Sequence, residues 1–123
     1  MRFNNDRPIF AQIADLLVED ILGGRLCSGA RLPSARELAA SLEVNPNTAA
    51  RALQSLQDEG VARCERGMGY FVAEGAAELA RGERKRRFFE EELPRLFKTM
   101  EEIGAEPTEM LQRYASYLER KGA

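Results

Sequence analysis

Two helix starts lie close together in the stretch Ser34-Ala35-Arg36-Glu37-Leu38-Ala39-Ala40-Ser41-Leu42-Glu43-Val44-Asn45-Pro46-Asn47-Thr48. Ser34 is followed three residues later by Glu37. This is the pattern of a capping box, in which the hydroxyl accepts a hydrogen bond from a first-turn amide and the carboxylate reaches back. Asn45 is a good N-cap, and Pro46 suits the first helical position because the amide proton it lacks would have no partner there. The stretch predicts a short helix, a tight turn and a second helix.

The second of these helices has an apolar face and a polar face. The inward stripe, at steps of three, one and three residues, is Ala49, Ala52, Leu53 and Leu56. At about 100° per residue, the opposite face carries Asn47, Arg51, Gln54 and Asp58. A helix from Ser34 to Leu42, a turn and a helix with a polar outer face form a helix-turn-helix. In this motif the second helix enters the DNA major groove with its N-terminal residues nearest the bases.

Apolar periodicity predicts a helix before this pair and a hairpin after it. A helix from Pro8 to Leu22 places Ile9, Ile13, Leu16, Leu17 and Ile21 on one face, and Gly23-Gly24 end it. Gly60 ends the third helix, and two short strands follow at Val61–Glu65 and Tyr70–Ala73. The glycines of Arg66-Gly67-Met68-Gly69 permit the positive φ of a tight hairpin. Three helices and a hairpin make a winged helix.

The last fifty or so residues predict helix, because charged residues are dense from Glu78 to Glu92 and no strand-like alternation occurs. A coiled-coil-like seam of two heptads is formed by Phe89, Leu93, Leu96, Met100 and Ile103. Pro94 lies inside this seam, where we expect it to kink the helix or mark its restart. After Gly104, a final helix starting at Pro107 carries Met110, Leu111, Tyr114, Tyr117 and Leu118 on one side.

The fold class predicted is mostly α with a small β-hairpin. Residues 1–75 form a winged helix-turn-helix DNA-binding domain, and residues 76–123 form a short C-terminal helical dimerisation tail. The candidate dimerisation residues are Phe89, Leu93, Leu96, Met100, Ile103, Leu111, Tyr114 and Leu118. A two-fold homodimer would set two recognition helices about 34 Å apart, which matches successive major grooves of a palindrome.

Composition excludes several classes of function. The chain has no histidine, which removes Ser-His and Cys-His nucleophile pairs. No motif pairs a nucleophile with a base, so we expect no enzyme, no catalytic residue and no cofactor. Cys27 and Cys64 have no metal-ligand spacing, which favours small reduced residues over a disulfide or a metal site.

Charge and targeting signals bear on the partner and on the compartment. The net charge of -2 argues mildly against nucleic acid, so the case for DNA depends on where the arginines lie. No apolar run approaches the roughly 18 residues that span a membrane, and the N-terminus lacks an apolar signal-peptide core. We expect a cytoplasmic protein without a membrane partner.

The residues that we expect to contact double-stranded DNA lie on the helix-turn-helix and at the hairpin tip. Asparagine and arginine have planar ends that make paired hydrogen bonds to adenine and guanine edges, so Asn47, Thr48 and Arg51 are placed to read bases. Arg66 adjoins Gly67, whose backbone can approach a groove closely. The candidate DNA-binding residues are Arg31, Ser34, Arg36, Asn45, Asn47, Thr48, Arg51, Arg66 and Gly67.

Four blocks of this sequence resemble the GntR family of bacterial regulators. They are Pro8–Ile13, Gly29–Ala39, Val44–Leu53 and Gly67–Val72. The resemblance implies a winged helix that binds operator DNA as a dimer, usually as a repressor. It further implies that Arg36 contacts a base or a phosphate and that Gly67 enters the minor groove. Many members carry arginines at the positions of Pro46 and Ala50, whereas the block Asn45-Pro46-Asn47-Thr48 looks like the YtrA subgroup, which has a short two-helix tail.

Three features allow other interpretations. The run Arg84-Lys85-Arg86-Arg87 steers toward DNA or, as its acidic flanks favour, is a solvated helix face. The aromatic residues of the tail line an effector pocket or, as we favour, pack between helices and across a dimer; no effector is identified by the sequence. The acidic net charge also suits a winged helix that acts as a protein-interaction module without specific DNA binding.

Overall fold

The computed structural model describes residues 3 to 122 of the chain. In this part the helices are α1 (Ile9–Leu22), α2 (Ala35–Leu42), α3 (Pro46–Asp58), α4 (Ala76–Arg87), α5 (Leu93–Ile103) and α6 (Pro107–Gly122). Strands β1 (Ala62–Glu65) and β2 (Gly69–Val72) form an antiparallel hairpin, and a π-helical turn covers Phe88–Glu92. The predicted fold class, mostly α with a small β-hairpin, is confirmed.

Both predicted helix starts of the helix-turn-helix are present. The Glu37 amide donates to Ser34 Oγ, and the Ser34 amide donates to Glu37 Oε1, each at 3.1 Å, so the capping box is complete. Asn45 Oδ1 accepts the Asn47 amide at 2.7 Å, and Pro46 is the first residue of α3. These local hydrogen bonds satisfy amides that a helix start leaves without intrahelical partners.

The turn between α2 and α3 contains a strained residue that the sequence did not predict. Glu43 ends α2 with φ 55° and is the one residue other than glycine, within residues 3–122, that has a positive φ. The left-handed conformation costs a residue with a Cβ roughly 1–2 kcal/mol. The amide of Val44 donates to Ala39 O at 3.1 Å, which closes the turn immediately before the Asn45 cap.

The three helices of the winged helix bury a common core. The predicted inward stripe of α3, Ala49, Ala52, Leu53 and Leu56, is buried. In α1 the buried stripe is Ile13, Ala14, Leu17, Val18 and Ile21, whereas Ile9 remains 45% exposed. Leu32 and Leu38 close the core from the α2 side, and Val61 and Val72 close it from the hairpin. The core thus fixes α3 against both other helices.

The hairpin is joined on its far side to the segment that precedes α2. Gly67 and Gly69 adopt the predicted positive φ, at 78° and 107°. The Leu32 amide donates to Tyr70 O at 2.8 Å, and the Val72 amide donates to Ala30 O at 2.8 Å. Backbone pairing therefore attaches the wing to the start of α2.

The chain divides into two compact units, of which the first ends at Arg84 and the second begins at Lys85. The sequence placed its domain boundary after residue 75. The first unit extends further because Ala76 and Ala80 of α4 are buried in its core.

The second unit begins with a helix that widens before its proline. Pro94 is the second residue of α5, directly after the π-helical turn, and the amide of Leu93 donates to Phe88 O, five residues earlier. In an α-helix the proline ring would clash with the carbonyl four residues before it. The wider turn accommodates Pro94 within a helical run, which is how the structure resolves the predicted kink or restart.

Candidate nucleic-acid interface

The first turns of α3 present the residues that we expected at DNA bases. Asn47 and Arg51 are exposed, and Thr48 is partly exposed. Asn45 is exposed as well, but its side-chain oxygen already accepts the Asn47 amide. Asn45 therefore stabilises the helix start, and its side-chain NH2 group remains available as a donor.

At the start of α2, one candidate residue is engaged and another is available. The hydroxyl and amide of Ser34 are both used in the capping box with Glu37. Arg36 is exposed, and no described residue pairs with its guanidinium. Of these two, Arg36 is the residue that can donate to a phosphate or a base edge without breaking a contact.

The start of α2 carries a negative charge. Hydrogen bonding by the Ser34 backbone amide, then by the Ser34 side chain, lowers the pKa of Glu37, and the nearby Arg31 charge adds to this. The ionised Glu37 carboxylate therefore occupies the positive end of α2. An anion from outside is less favoured there than at a helix start without an acidic residue.

The tip of the wing is exposed to solvent. Gly67 is exposed, and a Cβ built on it meets no atom within 4 Å. Beside it, Arg66 is exposed without a described partner, and Met68 is 61% exposed. The tip therefore has the small residue and the free cation that a groove contact requires.

Arg31, which we expected to contact DNA, connects the wing to α2. Its Nε donates to Met68 O at 3.3 Å, and its Nη1 lies 3.7 Å from Glu37 Oε1. The bracing residue and the wing tip are 37 positions apart in the sequence. No local pattern signals this contact, because the sequence does not say which carbonyl an arginine will meet.

The arginines of the first unit fall into two groups. Arg63 is paired with Glu65 and lies 5.1 Å from the centre of the Phe71 ring. Among residues 3–122, Arg36, Arg51 and Arg66 have no hydrogen bond or ion pair to another residue. The guanidinium groups on α2, α3 and the wing are thus available to an anionic partner.

Sequence reasoning missed Phe10 as a member of this region. Cζ of Arg51 lies 4.2 Å from the centre of the Phe10 ring, so α1 contributes an aromatic surface to the candidate interface. The two residues are distant in sequence, and Phe10 reads there as one more apolar position of α1. Only the packing of α1 on α3 brings the ring to the arginine.

Within residues 3–122, no group of three or more cysteine, aspartate or glutamate side chains is arranged to hold a metal ion. None of the described helices combines the length and the apolar character needed to cross a bilayer.

The chain matches a known family over the whole winged helix. The model of "Bacterial regulatory proteins, gntR family" matches residues 10–72. An uncharacterised HTH-type transcriptional regulator, YhcF of Bacillus subtilis, is 36% identical over 118 residues, which cover 96% of each chain. The HTH-type transcriptional repressor YtrA of the same organism is 41% identical over 69 residues, 56% of this chain and 53% of YtrA.

Solved structures extend the similarity to the tail. A putative GntR-family regulator from Bacteroides thetaiotaomicron superposes with a TM-score of 0.72 at 36% identity, over 92% of this chain and 98% of that one. An AraR DNA-binding domain in complex with operator ORR3 superposes with a TM-score of 0.54 at 25% identity, over 59% of this chain and 88% of that one. The chain belongs to the GntR family of bacterial regulatory proteins, and it is a DNA-binding helix-turn-helix transcriptional regulator and not an enzyme.

Proposed function

We propose that this chain is a repressor that binds a palindromic operator as a homodimer. Each protomer inserts the first turns of α3 into a major groove and the wing tip into the adjacent minor groove. The observation that carries the proposal is the set of unpaired, exposed guanidinium groups on α2, α3 and the wing, at Arg36, Arg51 and Arg66. Cations without an internal partner on the elements that face DNA suit phosphate and base contacts.

Base reading is assigned to the start of α3. Asn47 is exposed there, and its planar amide suits an adenine edge. Thr48 adds a hydroxyl and a methyl group one residue further along. At the other two elements, Arg36 supplies a base or phosphate contact, and Gly67 allows the wing backbone to approach the minor groove.

The tail supports a homodimer, because its apolar side chains stay wholly or partly exposed in the part of the chain that the structure describes. No residue from Lys85 to Gly122 is buried. Among the candidate dimerisation residues, Phe89, Leu96, Ile103, Leu111, Tyr114 and Leu118 are between 36% and 73% exposed, and Leu93 and Met100 are partly exposed. Many exposed apolar side chains on short helices favour a partner that covers them, and a second copy supplies an identical set.

Two comparisons bear on the proposed action at an operator. YtrA, which is similar to this chain over the winged helix, is named a repressor. The structure of the AraR DNA-binding domain contains its operator ORR3. A winged helix bound at an operator represses by occupying DNA that the polymerase needs. The proposal therefore takes the dimer bound to DNA as the repressing state.

The test is selection of bound duplexes from a random library, followed by titration of a selected palindrome. Arg36→Ala weakens binding to it by about 1–3 kcal/mol because one charged contact is lost. Arg25→Ala is the matched control, since Arg25 is exposed but its Nε is paired with Asp20 Oδ1 at 2.8 Å. Equal affinities of these two variants contradict the site, and failure of the wild-type chain to bind any duplex at low salt favours the protein-interaction module.

A further inference from the structure

The pair formed by Arg51 and Phe10 joins the recognition helix to α1. The guanidinium carbon of Arg51 lies 4.2 Å from the centre of the Phe10 ring, which is well inside the range of a cation–π contact. Phe10 is the second residue of α1, and its partly buried side chain packs against the core. Arg51 is exposed. A ring packed on the core thus contacts one side of an exposed cation.

This contact orders the guanidinium without neutralising it. Stacking uses the face of the guanidinium plane, and the N–H donors point outward from its edge. No described residue accepts a hydrogen bond from Arg51 or forms an ion pair with it. The first turn of α1 carries no acidic residue that would compete for the charge. The edge of the cation therefore remains available to an anion.

We infer that Phe10 is a positioning residue that holds Arg51 for a contact with a DNA phosphate instead of a base edge. The inference rests on the DNA binding proposed above, and it revises the base-reading role that the sequence alone predicted for Arg51.

The direction of the side chain is the reason for choosing a phosphate. Helix α1 packs against α3, and the guanidinium carbon of Arg51 lies 4.2 Å from the centre of an α1 ring, so the guanidinium is directed toward α1. Paired hydrogen bonds to a guanine require the side chain to extend into the groove, which would break the stack. A phosphate can meet the edge of the guanidinium while the stack remains intact.

Pre-ordering also explains what the ring contributes. A free arginine has many rotamers, and fixing it on DNA costs conformational entropy that weakens binding. When the ring already limits those rotamers, less entropy is lost on contact. The effect of Phe10 on DNA affinity must then pass through Arg51.

A double-mutant cycle on two probes tests the inference. The probes are a labelled duplex of random sequence at low salt and the palindrome obtained by selection. Phe10→Leu weakens binding to both duplexes by about two- to fivefold, which is the range of a partly exposed cation–π contact. Phe10→Tyr retains the aromatic ring and binds both duplexes as the wild type does. In the Arg51→Ala background, Phe10→Leu has no further effect. Arg51→Ala weakens binding to both duplexes by the same factor. It also reduces the slope of log affinity against log salt concentration by about 0.9.

Leu22→Ala is the control for a general loss of stability. Leu22 packs against the core at the other end of α1, so its truncation lowers the unfolding midpoint without changing DNA affinity well below that midpoint. Loss of affinity by Arg51→Ala for the palindrome alone would show a base contact and overturn the inference. Additive effects of Phe10→Leu and Arg51→Ala would overturn the role of Phe10. Failure of the wild-type chain to bind either duplex overturns the proposed function itself, which separates that failure from the other two.

Discussion

The winged-helix unit and the tail both contain amphipathic helices, but the first buries its apolar side chains and the second leaves them exposed. In the first unit, Ile13, Leu32, Leu53, Leu56, Val61 and Val72 are fully buried. In the tail, no residue from Lys85 to Gly122 is buried, and Ile103 is 73% exposed. One unit completes its core within a single chain, and the other keeps exposed apolar side chains that we propose a second copy covers. Stability of the first is a property of the chain, whereas we expect order in the second to depend on concentration.

The largest expected effect comes from breaking the core of the first unit. Leu53 is 0% exposed on α3, and Leu53→Ala should lower the free energy of unfolding by about 2–5 kcal/mol through lost burial and a cavity. Urea unfolding followed by circular dichroism measures it. Because this core lies within one chain, the loss should be the same at low and high protein concentration; a loss that vanishes on dilution would contradict the comparison.

A smaller effect is expected from a substitution in the tail, and it should weaken the association of two copies of the chain. Ile103→Ala removes an apolar side chain from the proposed dimer surface, at about 1.5–3 kcal/mol per copy if the residue is fully covered in the dimer. Sedimentation equilibrium measures the dimer dissociation constant, which should rise by tenfold or more. The neighbouring exposed residue supplies a control, Glu102→Ala, which should leave the constant unchanged. A monomeric wild-type protein at all concentrations would refute the assignment of the tail.

The smallest expected effect on stability comes from the capping box on the surface of the first unit. Ser34→Ala removes the capping box of α2 and should cost about 1 kcal/mol of unfolding free energy. The dimer dissociation constant should not change, because Ser34 lies outside the tail. Denaturant unfolding and sedimentation on the same samples separate the two readouts.

The capping box also predicts a pH dependence with a definite sign. The hydrogen bonds from Ser34 lower the pKa of Glu37 in the folded chain relative to the unfolded chain. The stability it adds is therefore fully present above the unfolded pKa and is lost as the pH falls through the lower, folded pKa. Unfolding curves across this acidic window should lose this contribution in the wild-type protein but not in Ser34→Ala, and parallel curves for both proteins would contradict the role of Glu37.

The parts of the fold that the sequence predicts well are those in which the interacting atoms lie within a few residues. The box of Ser34 with Glu37 and the cap at Asn45 with Pro46 appear as expected, because short side chains reach only their own helix start. Gly67 and Gly69 adopt the predicted positive φ because the hairpin turn is also formed within a few residues. The spacing of the apolar residues along α3, at steps of three, one and three, likewise fixes which face is buried.

The candidate site was predictable in its location but not in its internal contacts. Exposure of Arg36, Asn47 and Arg51 follows from helical periodicity, which a single helix determines. The partners of Arg31 and Arg51 do not follow from it, because a guanidinium reaches several neighbours and only the packing selects one. Glu43 was missed because the left-handed C-cap of α2 is here a glutamate, and not the glycine or asparagine that usually marks this conformation.

By itself, then, the sequence determined the helix starts, the buried face of each recognition element and the hairpin turn, since each depends on backbone hydrogen bonds and side-chain periods over short separations. The tertiary structure alone decided that Arg31 braces the wing through Met68 O, that Phe10 stacks on Arg51 and that α4 completes the first core. Such contacts join residues far apart in the chain. They exist only after the burial of many apolar side chains at once has chosen which helix faces meet.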